Sequence, residues 1–183
     1  MIEFFESVRV PATVAHVLAV VFGMGGALMC DLLFTFFSRD KKLDKTEINT
    51  LTILRSVVAY GLLTIIISGA FVFLSDTEKY MASAKFLAKM SILAVLILNG
   101  YLLNKYIWPH ILDRAFFTLK KERNIRRLAF ASGAVSVTSW LAVCALGTLK
   151  KVTMPYSEIM LIYLGVVTIA LLCALYLERR ELE

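Results

Sequence analysis

Five apolar segments, each long enough to cross a bilayer as a helix, divide this chain: about residues 13–37, 51–74, 82–107, 128–149 and 157–177. A helix rises about 1.5 Å per residue, so about 20 apolar residues cover a hydrocarbon core about 30 Å thick. Lipid offers the backbone no hydrogen-bond partners, so only helices or closed barrels span it. None of the five segments shows the period-two alternation of a barrel strand. The expected fold is therefore all-α: a polytopic membrane bundle of five transmembrane helices forming one integral membrane domain over residues 1–183. Composition agrees, with 59% hydrophobic and 19% charged residues, against about 45–50% and 25% in soluble domains. Pro11 is expected to start the first helix, Pro109 to end the third and Pro155 to mark the turn before the fifth. No cleaved leader is expected, because the first apolar run is long and its flank carries Glu3 and Glu6.

The net charge of +6 is concentrated in blocks between the apolar runs. Arg39, Lys41, Lys42 and Lys45 join the first two spans. Arg114, Lys120, Lys121, Arg123, Arg126 and Arg127 join the third and fourth, and Arg179 and Arg180 follow the fifth. The other side has Arg9, Lys79, Lys85, Lys150 and Lys151. The positive-inside rule then sets the N-terminus outside and the C-terminus in the cytoplasm, with the inner membrane of a bacterium as the expected location. Phe116, Phe117 and Leu119 suit a short interfacial helix in the third link. Basic residues are not interleaved with exposed aromatics, so the expected partners are the lipid bilayer and a membrane protein or second copy, not nucleic acid. Cys30, Cys144 and Cys173 lie inside apolar runs without CxxC spacing and read as free thiols. No nucleotide-binding, nucleophile-elbow or HExxH signature is present.

Polar groups inside spans are costly and mark pairing or function. His16 lies just inside one end of the first span, and Lys89 lies near the same side of the third. His110 follows the third span, about 30 Å away across the membrane, so His16 and His110 cannot share one haem. Asp31 and Arg55 fall at similar depth on consecutive antiparallel spans. An intramembrane ion pair is expected there, with a substrate or proton-path role as the alternative. His16, Ala19, Val20, Gly23, Gly26, Ala27 and Cys30 share one helix face, a groove for another helix or for a flat cofactor. Asn99 and Asn104 are expected to hydrogen-bond between helices, Ser132, Ser136 and Ser139 to form a packing seam, and Trp108, Trp140 and Tyr156 to pack or lie at the interface. Lys85 is expected to snorkel to headgroups.

The stretches "HVLAVVFGMGG" in the first span and "KFLAKM" opening the third resemble the CopD-like and HemJ-like integral membrane proteins, over about residues 12–105. HemJ-like proteins bind haem b and are associated with protoporphyrinogen oxidation; CopD-like proteins are associated with copper handling. The resemblance implies a membrane oxidoreductase that binds haem b, with His16 as axial ligand, Gly23 and Gly26 leaving room for the porphyrin, and Lys89 as the essential lysine. Lys89 would then bind a propionate or act as acid or base on a tetrapyrrole substrate. Two other readings stand beside it. One is a copper-binding or copper-transport protein, in which Met24, Met29, Met81, Met90, Met154 and Met160 supply soft donors beside His16. The other is a non-catalytic membrane subunit or small-solute carrier.

Overall fold

A computed structural model of the chain describes residues 2–38, 43–112, 123–149 and 151–182. Among these all regular structure is helical. The elements are α1 (Ile2–Phe37), α2 (Lys45–Leu74), α3 (Thr77–Met81), α4 (Ala84–Leu102), a π-helical turn (Leu103–Ile107), α5 (Trp108–Ile111), α6 (Arg123–Thr148) and α7 (Tyr156–Leu182). Five stretches are long and apolar enough to cross a membrane: Ser7–Phe37, Lys45–Leu74, Ala84–Ile111, Arg123–Thr148 and Tyr156–Arg180. Phe22, Leu161, Ile169 and Leu172 are more than three-fifths exposed on their surfaces. That outward display of large apolar side chains is what a lipid solvent requires, and the protein is an integral membrane protein. The expected basic residues Arg39, Lys41, Lys42, Arg114, Lys120, Lys121 and Lys150, with Phe116, Phe117 and Leu119, lie outside the described residues.

Local chemistry sets the helix ends. Asp44 caps α2 in a reciprocal box: its carboxylate accepts from the Glu47 amide at 2.7 Å, and the Asp44 amide donates to the Glu47 carboxylate at 2.8 Å. Helix α2 therefore begins at Lys45 rather than near residue 51. Ser83 accepts from the Phe86 amide at 3.3 Å and starts α4. Two proline expectations are corrected. Pro11 lies inside α1 rather than at its start. Pro109 does not end the third span; it sits in the first turn of α5, which continues to Ile111 directly after the π-helical turn. A proline there removes an amide and crowds the preceding turn, and the wider π turn accommodates both effects. Pro155 stands where expected, immediately before α7.

The helices pack as antiparallel neighbours. The α1–α2 hairpin aligns His16 with Ser68, Gly23 with Gly61 and Gly26 with Val58. Helix α6 is central and touches α1, α4 and α7. Three apolar clusters run along the bundle. The first surrounds Leu51, Ile107 and Trp108, the second Ala19, Ile65 and Trp140, and the third Ala88, Ile92 and Tyr163. The α6–α7 seam is polar at two levels: Ser139 and Tyr163 hydroxyls meet at 2.8 Å, and Arg127 Nε donates to buried Glu178 at 3.4 Å. Helices α2 and α4, although consecutive, barely touch below the turn that joins them. At that turn Phe73 stacks on Phe86 with centroids 5.3 Å apart, and Tyr80 leans on both. The result is a cleft between α2 and α4, floored by α1 and α6.

Candidate functional site

His16 projects from α1 against α2. Its Nδ1 lies 3.2 Å from the Ile65 carbonyl and 3.1 Å from Ser68 Oγ. Ser68 Oγ gives its one hydrogen to the Thr64 carbonyl at 2.5 Å. The Ile65 carbonyl can only accept. Both partners of Nδ1 therefore take a hydrogen, so Nδ1 carries the proton and donates, and the lone pair stays on Nε2. Nε2 bonds to no described residue. Gly69 makes space for the ring: a Cβ there would stand 3.3 Å from His16 Cε1. Ser68 and Gly69 are the functional positions the sequence reading missed. Their signal was a small polar pair in the second span, at the height where antiparallel pairing meets His16.

Lys89 on α4 is half-buried and within electrostatic range of the His16 ring. Its ammonium forms no hydrogen bond or ion pair with a described residue. The Lys85 ammonium donates to the Leu149 carbonyl at the exposed end of α6, where the helix dipole favours a cation. His110 is exposed in α5 at the far end of the helix that carries Lys89, about 30 Å along it, and shares nothing with His16.

The glycine face is filled by protein. A Cβ on Gly23 would meet the Trp140 ring at 2.9 Å, and one on Gly26 would meet Val58 at 3.2 Å. The space expected beside Gly23 and Gly26 for a porphyrin plane is therefore taken by Trp140 and α2, and these glycines serve helix packing. Gly61, not singled out in the sequence, makes the closest approach, where a Cβ would lie 2.7 Å from Gly23 Cα.

The expected Asp31–Arg55 ion pair is also corrected. The two residues share a depth, but no ion pair forms between them. The Arg55 guanidinium lies over Trp108, 4.2 Å from the ring centroid. The Asp31 carboxylate faces Gly133 of α6, whose Cβ it would meet at 3.0 Å. Both residues line the α2–α4 cleft, whose open volume is about 320 Å³. Cys30 lines the same cleft. Asn99 bonds α4 to α6 as expected: its amide donates to the Ser132 carbonyl at 3.0 Å, and the Ser132 hydroxyl donates back to its oxygen at 3.0 Å. Asn104 instead lines the cleft, as does Ser136.

No family model matches this chain, and neither does any curated protein or any solved structure. Among the described residues no three or more His, Cys, Asp or Glu side chains converge as a metal site. Met29, Met81 and Met90 are about half exposed, and Met154 and Met160 pack on the α4–α6–α7 core.

Proposed function

We propose that the protein is a b-type haem protein of the membrane with a redox role, and that His16 Nε2 is the axial ligand. The observation that carries this reading is the anchored Nδ1–H. A ligating imidazole characteristically donates its second nitrogen to a backbone carbonyl or polar partner, which fixes the tautomer and raises basicity. Ile65 and Ser68 do this here. The donor chemistry fits haem, whereas the glycine face does not cradle it. Haem b would supply one-electron chemistry. The chain's own part is distinct from it. Ile65 and Ser68 orient the imidazole, Lys89 offers a cation for a propionate or for the carboxylate of a tetrapyrrole substrate, and the apolar walls exclude water. The resemblance to CopD-like and HemJ-like proteins supports this assignment of roles, with Lys89 as the acid or base. The distribution of basic residues supports a cytoplasmic C-terminus in a bacterial inner membrane. Copper has less support, because Met29, Met81 and Met90 are about half exposed and Met154 and Met160 pack on the α4–α6–α7 core.

The test is the absorption spectrum of detergent-purified protein from haem-replete cells, oxidised and then dithionite-reduced. A Soret band with sharp reduced α and β bands is expected. A featureless visible spectrum contradicts the reading and favours a non-catalytic membrane subunit or carrier. Ser68→Ala removes one of the two acceptors at Nδ1 and keeps the Ile65 carbonyl. It is expected to weaken haem binding by about tenfold, at the low end for such supporting groups, measured by haemin titration of the haem-depleted protein.

A further inference from the structure

The α2–α4 cleft holds two ionisable side chains that the haem reading does not use. Asp31 and Arg55 face the same 320 Å³ volume without pairing with each other. A carboxylate and a guanidinium within a span are costly to leave apart, and direct pairing would reduce that cost. Holding them apart instead keeps one strong acceptor and one strong donor at the same end of an apolar chamber. Asn104 adds an amide there, while Leu62, Ile66 and Ile97 form the walls. Because α2 and α4 barely touch, the chamber lies between two lipid-facing spans.

This chemistry selects among ligands. A bare cation is disfavoured by Arg55 and finds only one carboxylate. A phosphate or fatty-acid headgroup suits Arg55 but is repelled by Asp31. An uncharged head that both donates and accepts hydrogen bonds satisfies the two together: a hydroxyl toward Asp31, a carbonyl or second oxygen toward Arg55. A lipid-soluble tail would follow the apolar walls. We propose that the α2–α4 cleft is a binding site for a quinol, one ring hydroxyl donating to Asp31 and the other accepting from Arg55. This site needs no haem at His16.

The chain has two tryptophans, and both report on this chamber: Trp140 lines it, and Trp108 lies under Arg55. An occupant that touches these indoles quenches them, so decylubiquinol is titrated anaerobically into the full-length protein in phosphatidylcholine nanodiscs and intrinsic fluorescence is read. Saturable quenching is expected. Arg55→Gln is expected to weaken it by about tenfold, the loss of one charge-assisted hydrogen bond. Gly100→Phe fills the chamber, because a Cβ at Gly100 meets nothing within 4 Å, and should abolish saturation with the fold intact by circular dichroism. Leu161→Phe, on the lipid face of α7, should change nothing. Linear quenching in the natural protein, equal quenching in Gly100→Phe, or equally tight saturable quenching by decylubiquinone, whose carbonyls offer Asp31 no hydrogen, would each overturn the proposal. The haem spectrum is measured separately, so either proposal can fail while the other stands.

Discussion

Gly61→Leu is expected to destabilise the protein by about 3 kcal/mol, the upper end of the range for overpacking a close contact. The first atom of the new side chain would stand 2.7 Å from Gly23 Cα, 2.9 Å from Gly23 N and 3.3 Å from the Ala19 carbonyl. All three are backbone atoms of α1, so no rotamer relieves the clash. The helices must separate, and separation also stretches the hydrogen bonds from His16 to Ile65 and Ser68. Gly165→Ala is the control. Its Cβ meets nothing within 4 Å on α7, so the effect should lie between zero and the gain of about 1 kcal/mol that alanine brings to a helix. The midpoint of unfolding by sodium dodecyl sulfate, followed by circular dichroism, checks both. Equal midpoints for the two variants would show that α1 and α2 do not cross at these glycines.

The second large effect is at the α6–α7 seam. Arg127→Ala is expected to cost about 3 kcal/mol, because removing one partner of a buried pair leaves the other charge uncompensated. Glu178 is only 2% exposed, while Arg127 is one-third exposed. The cost therefore comes mainly from the stranded carboxylate rather than from lost Coulomb attraction. The double variant Arg127→Leu with Glu178→Leu removes both groups and should recover most of the loss. If Arg127→Ala unfolds at the same detergent fraction as the natural protein, Glu178 does not depend on Arg127.

Much of this architecture was legible in the sequence because lipid is a simple solvent. Long apolar runs admitted one answer, and all five spans stand where hydropathy put them. The ends moved where local hydrogen bonding decides. The Asp44–Glu47 box lies in a polar flank that hydropathy ignores, so α2 starts early. Pro109 reads as a stop, yet a π turn carries the helix past it. The site was half legible. His16 and Lys89 were visible as ionisable groups at one depth. Ser68 and Gly69 were not, because a serine and a glycine in a span look like packing until a partner is known. Asp31 and Arg55 were placed at the correct depth, but depth does not fix azimuth. A rotation about the helix axis separates a salt bridge from two groups facing a shared cavity. Glu178 adjoins the basic pair Arg179 and Arg180, and only the packing of α7 on α6 shows it buried.

The central claim, that His16 presents Nε2 to a haem iron while Ile65 and Ser68 hold Nδ1, is tested most directly by haem content. Natural protein, His16→Ala and His110→Ala are purified from the same haem-replete cells, and bound haem is quantified as the pyridine haemochrome. The account predicts stoichiometric haem in the natural protein and in His110→Ala, and only a trace in His16→Ala at unchanged helix content. Equal haem in all three, or none in any, would contradict it.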